Sequence, residues 1–211
     1  MKLLVSVVDP GEARAAVPAE LPVSAAIGDM PDLPGTAALA ALGAARSGAT
    51  FVKVGLWGVS TEDDAVELLR AVCSGVADVP GAVVVAAAYA DARRVAQPPL
   101  PPELLPRVAR AAGAGACLLD TAVKDGRGLL DWLSPDALAA LVADAHAAGL
   151  QVALAGALRV EDLPVVRATG ADIAGVRSAA CREGRRSGRL DAARVRALVA
   201  ACAATPPRAS R

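Results

Sequence analysis

Short apolar runs alternate along this chain with longer amphipathic segments, and the runs recur at ~25–35-residue spacing. Seven of them read as strands: residues 3–8, 23–27, 51–56, 82–88, 116–122, 151–154 and 172–176. Between them, a short helical piece is expected at 12–17 and an alanine-rich helix between a Thr36 cap and a stop at Gly48. Ser60 with Asp63 three residues on gives a capping-box-like start to a helix reaching about residue 76. Further helices are expected at 102–112, 135–148, 161–168 and 191–203, the second of these with Ser134 as cap and Pro135 at the favoured first position. Strand followed by helix, repeated, builds right-handed βα units on a parallel sheet.

No Gly-x-Gly-x-x-Gly follows the first strand and no Walker loop occurs, which disfavours a nucleotide-binding sheet. The better fit is a TIM-type (β/α) barrel, with reactive groups at the C-terminal strand ends. Seven strands stand where such a barrel has eight. The expected fold is therefore one barrel domain over residues 1–205, one βα unit short, with residues 206–211 as a disordered tail.

The formal net charge is zero and 2% of the residues are aromatic, which argues against nucleic-acid binding. Hydrophobic residues make up 55%, yet no uninterrupted apolar run approaches the ~20 residues of a membrane span. The N-terminus meets Asp9-Pro10 too early for a signal peptide, so the chain reads as cytoplasmic. Four scattered cysteines and one histidine give no metal-site pattern, and no cofactor is expected.

Lysine usage narrows the chemistry. Of 22 basic residues three are lysines: Lys2 at the terminus, then Lys53 and Lys124. Arginine neither deprotonates near neutral pH nor forms an imine, whereas lysine does both. In the third strand Val52, Val54 and Leu56 share one face, which a barrel turns toward its helices, leaving Lys53 inside. Lost hydration there lowers an amine's pKa, and a nearby Asp120 opposes that shift. The stretch from Leu118 to Gly126 runs from apolar strand to acid, base and glycine turn. Asp120, Ala122 and Lys124 point the same way if the strand continues. Such an end suits imine or proton-transfer chemistry, with Lys124 slightly preferred for the imine and Lys53 as base. The plainer readings are Lys53 as the partner of a barrel carboxylate and Lys124 as a solvated turn residue. The last two strands end in Gly156-Ala157 and Arg177-Ser178, small residues and one charge suited to a phosphate. The arginine-rich run 182–189 reads as a solvated loop.

Several segments, taken in order over nearly the whole chain, resemble the (5-formylfuran-3-yl)methyl phosphate synthase family of methanofuran biosynthesis. They are Leu3-Leu4-Val5-Ser6, Gly28-Asp29-Met30-Pro31, Val52-Lys53-Val54-Gly55-Leu56, Tyr89-Ala90-Asp91, Leu119-Asp120-Thr121-Ala122-Val123-Lys124-Asp125-Gly126, Ala155-Gly156 and Gly175-Val176-Arg177. The resemblance implies an aldolase-type barrel, a metal-free lysine-dependent lyase, and condensation of two glyceraldehyde 3-phosphate molecules. It makes Lys53 a proton acceptor and sets Asp120 and Lys124 around the reacting carbonyl. The family's second strand, ending in Asp-x-Lys-Asn-Pro with the expected Schiff-base lysine, has no counterpart here. Ala157 replaces a usual serine and Ser178 a usual glycine. A descendant that binds a phosphosugar or a partner without catalysis is the alternative. The absent strand also leaves two apolar edges, for which a second subunit is the expected cover, making a homo-oligomer.

Overall fold

The predicted alternation is present in the structure, a computed structural model that describes residues 1–7, 23–94 and 99–203. The strands are β1 (Lys2–Val5), β2 (Ser24–Asp29), β3 (Phe51–Gly55), β4 (Val83–Tyr89), β5 (Ala116–Asp120), β6 (Gln151–Leu154) and β7 (Ile173–Val176). All pair in parallel, in the order β1-β7-β6-β5-β4-β3-β2. The α-helices among the described residues are α1 (Pro34–Arg46), α2 (Glu62–Val76), α3 (Leu105–Ala112), α4 (Pro135–Ala147), α5 (Leu163–Ala168) and α6 (Ala192–Ala203). Expected elements at 12–17 and 206–211 lie outside the described residues. No described helix is long and apolar enough to cross a membrane.

The two faces of the sheet carry different cores. Val52, Val54, Ala86, Leu119 and Leu154 join a large cluster with the helices, including Ala41, Leu69, Leu105 and Leu138. The other face holds a small cluster of Val85, Ala87, Ala116, Leu118, Ala153 and Ala155, with Phe51 and Ile173 packed against it. The sheet curls around these short side chains as a TIM-type barrel one βα unit short of eight. β1 and β2 form its two edges and do not pair with each other, so among the described strands the barrel is not closed directly.

Local chemistry moved several boundaries. Helix α1 begins at Pro34 rather than after Thr36, because proline's fixed φ already fits the first helical turn. Thr61, not Ser60, caps α2, its hydroxyl accepting the Asp64 amide at 3.2 Å. Ser134 caps α4 as expected, through the Ala137 amide at 3.2 Å. The expected helices at 102–112 and 161–168 each open with a 3-10 turn, Pro102–Leu104 and Val160–Asp162.

Helices α1 and α2 meet backbone to backbone at Gly75. An added Cβ there would stand 2.7 Å from the Ala38 carbonyl oxygen and 3.1 Å from its Cα. In an open helix glycine to alanine gains ~1 kcal/mol, but overlap with backbone costs ~1–3 kcal/mol. Gly75→Ala should therefore lower the denaturation midpoint with an unchanged m value. A raised midpoint would mean that α1 slides away at little cost.

Candidate active site

The position of Lys53 follows from its neighbours. Val52 and Val54 are fully buried against the helices, so the alternation turns Phe51, Lys53 and Gly55 to the concave face. Register carries that face sideways, pairing Lys53 with Ala26 of β2 and Val85 of β4. Lys53 is half-buried, and its amine has no hydrogen bond or ion pair to a described residue.

Lys124 is held quite differently. Strand β5 ends at Asp120, because the amides of Ala122 and Val123 turn away to donate to the two oxygens of Asp91, each at 2.8 Å. Asp91 is 1% exposed, and these charge-assisted bonds fix the loop from outside the strand. The expected alternation through Ala122 to Lys124 thus stops at Asp120. A turn joins acid and base instead: Lys124 Nζ donates to Asp120 Oδ1 at 3.3 Å, to Thr121 Oγ1 at 3.4 Å and to the Thr121 carbonyl. Three oxygens receive the three protons of one ammonium group.

The next residues brace this loop. Asp125 accepts from Arg127 and Arg94, each at 2.7 Å, and those bonds hold its carboxyl well below the usual carboxylate range. Both guanidinium groups lie over the Trp132 ring, at 5.0 Å for Arg94 and 4.4 Å for Arg127.

Across the mouth, Asp29 at the end of β2 accepts from the Tyr89 hydroxyl at 2.6 Å and from the Trp57 amide at 3.1 Å, both on Oδ1. The Trp57 and Tyr89 rings meet edge to face with centroids 5.5 Å apart. Gly55 makes the approach possible, since a Cβ there would lie 1.8 Å from that same oxygen. Burial and the bond to Asp29 push the Tyr89 phenol far above its ordinary pKa, so it stays neutral. Tyr89 is also the register partner of Asp120, which puts the groups of β2, β4 and β5 on one rim.

At the last two strand ends, Gly156 has φ +108 and backs onto Thr121, where a Cβ would stand 3.0 Å from Cγ2. Ala157 has φ +50, a conformation few alanines adopt. Ser178 starts the 3-10 turn Ser178–Ala180. Arg177, expected to face a phosphate, is 7% exposed and donates to the carbonyls of Ser6 at 3.0 Å, Gly188 at 3.1 Å and Arg186 at 3.2 Å. It ties the end of β1 to the 182–189 loop, which is folded rather than merely solvated: Cys181 and Leu190 form an antiparallel bridge at its neck.

Sequence reasoning brought Lys53, Asp120 and Lys124 to the concave face or its rim. It gave no role to Asp29, Trp57, Tyr89 or Asp91. A signal was present, since the chain holds only four aromatic residues and two of them meet at Asp29.

Residues 3–199 match the sequence model of a family described as 4-HFC-P synthase. The (5-formylfuran-3-yl)methyl phosphate synthase of Methanocaldococcus jannaschii is 47% identical over 90% of this chain and 80% of its own length. That of Methanopyrus kandleri is 49% identical over 81% of this chain and 72% of its own. Among solved structures, an aldolase called QR15 superposes with TM-score 0.56 at 18% identity, covering 78% of this chain and 72% of that one. KGPDC from Streptococcus mutans gives TM-score 0.51 at 16% identity, over 87% and 72%. These two likenesses concern the fold.

The Asp91 cradle has a measurable worth. Asp91→Ala leaves two amides without their acceptor and should destabilise the protein by ~1–3 kcal/mol in chemical denaturation. Limited proteolysis should then cut faster at Lys124 and Arg127. Unchanged cutting would mean that the Asp125–Trp132 brace holds the loop alone.

Proposed function

The chain belongs to the 4-HFC-P synthase family, and from that premise we propose that it condenses two glyceraldehyde 3-phosphate molecules into (5-formylfuran-3-yl)methyl phosphate through a lysine imine. The observation that carries this reading is the pairing of two unlike lysines: an amine on the concave face with no hydrogen bond to a described residue, and an ammonium held by three oxygens at the rim. Lys53 takes the imine role in preference to Lys124, whose nitrogen would have to surrender its hydrogen bonds before attacking a carbonyl.

The steps assigned to these residues balance. The Lys53 nitrogen adds to the carbonyl of the first triose and water leaves. The imine acidifies the neighbouring C–H, and the Asp120 carboxylate takes that proton. Inorganic phosphate leaves from C3 of the resulting enamine, and that carbon then attacks C2 of the second triose, isomerised to its ketone, while the Lys124 ammonium protonates the forming alkoxide. Ring closure and two dehydrations form the furan, and hydrolysis of the imine returns the first water and frees Lys53, so two waters and one inorganic phosphate are released overall and one phosphate ester stays on the product. The retained phosphate is assigned to the Gly156–Ala157 and Ser178 ends, where the Ala157 amide has no described acceptor. Arg177 supports that wall from behind.

A binding-only descendant is the second reading. Its support is the absence of an Asp-x-Lys-Asn-Pro segment from the chain. In either case a second subunit is assigned to the unpaired edges of β1 and β2.

Purified protein given glyceraldehyde 3-phosphate should yield a furan aldehyde phosphate detected by mass. Borohydride during turnover should place the adduct on Lys53 in peptide mapping, and Lys53→Arg should abolish it. An adduct on Lys124 would exchange the two roles, and product without any adduct would remove the imine. Absence of product would leave the binding-only reading.

Dilution into the low micromolar range should lower melting temperature and activity together if a second subunit covers the edges. A monomer that melts at the same temperature at every concentration would rule that out.

A further inference from the structure

Asp29 is the rim's most unusual acid, because its two oxygens are in opposite situations. Oδ1 is occupied twice, by the Tyr89 hydroxyl at 2.6 Å and the Trp57 amide at 3.1 Å. Oδ2 has no partner among the described residues, and the residue is exposed at the mouth. The donors come from rigid sources. Tyr89 is 8% exposed and braced edge-on by Trp57, and the backbone of Trp57 follows directly on β3. Gly55 reserves the space, since any Cβ would displace the carboxylate. A surface aspartate free to rotate would average its two oxygens, whereas this one is pinned with a single oxygen left to offer.

We propose that Asp29, positioned by Tyr89 and Trp57, is a hydroxyl-binding residue that fixes which way round a hydroxylated phosphate ester lies across the barrel mouth. A carboxylate oxygen accepts hydrogen bonds and repels a phosphate, so it selects a hydroxyl over the charged end of the ligand. Register places Asp29 beside Gly55 on the β2–β3 side, while the small-residue strand ends of β6 and β7 lie toward the opposite edge of the sheet. The ligand's hydroxyl is thereby held on one side and its phosphate on the other, with Lys53 on the wall between. The proposal rests on the synthase reading for the ligand's class, a three-carbon hydroxylated phosphate ester.

Two unreactive esters separate this subsite from the chemistry. Glycerol 3-phosphate carries the middle hydroxyl, and 1,3-propanediol monophosphate lacks it; neither has a carbonyl. By titration calorimetry the wild-type protein should prefer the first by roughly tenfold to a hundredfold, the range of a hydrogen bond to a charged group. Asp29→Asn keeps an oxygen for Tyr89 and Trp57 but removes the charge, and most of the preference should vanish. Tyr89→Phe keeps the ring and releases the carboxylate, so an intermediate preference is expected, with melting temperatures recorded for both variants. Equal affinities in the wild type, no binding of either ester, or a preference untouched in both variants would overturn the proposal. Furan formation without any preference would retire the subsite and leave the synthase reading standing. A clear preference without furan formation would do the reverse.

Discussion

The site depends on the two-residue period of strands that are buried on both faces. Val52 and Val54 have no exposed surface, and each is worth ~1.5–3 kcal/mol when taken from water. Turning β3 over would expose both valines to the mouth and press an ammonium into the helix-facing core, where an unpaired charge is far more costly than either loss. One face of the strand therefore dictates the chemistry of the other. The parallel register then passes that choice across the sheet, to Val85 and Ala116, and sets Tyr89 opposite Asp120.

That dependence explains what was legible. The inner strands β3 to β7, largely buried on both faces, leave continuous apolar runs, and β1 and β2, though more exposed, are apolar as well, so all seven were visible, as was the interior position of Lys53. Helix starts were misplaced by one to three residues where two hydroxyls or a proline competed, as at Ser60 against Thr61 and Pro34 against a Thr36 cap. The end of β5 was illegible for a deeper reason: the acceptor that bends it, Asp91, lies 31 and 32 residues before the two amides it holds. Arg177 misled in a similar way. An arginine after a strand reads as a ligand for anions, yet carbonyls brought from residue 6 and from the 182–189 loop occupy it. Scarcity is what singled out the lysines. Applied to the four aromatic residues, it would have reached Tyr89 and Trp57 too.

Lys53 and Lys124 also show how differently one residue type is set by its environment. The first has apolar neighbours such as Phe51 on its own strand face and no hydrogen bond to a described residue. The second sits in a cage of one carboxylate and two oxygens of Thr121, a residue itself 1% exposed and pressed against Gly156. The cage depends on the β5 loop, and that loop depends on a buried aspartate and a tryptophan between two arginines. Rigidity at Lys124 is assembled from three separate segments of chain, whereas the placement of Lys53 needs one strand.

The seam between β1 and β2 has a consequence for how the fold could have varied through descent. Each hydrogen-bond ladder joins some other pair of described strands, so a βα unit at the seam can be present or absent without unmaking any of them. The sheet is modular at this one joint and continuous everywhere else. Among the described residues, each of its two outer strands keeps one edge without a neighbouring strand.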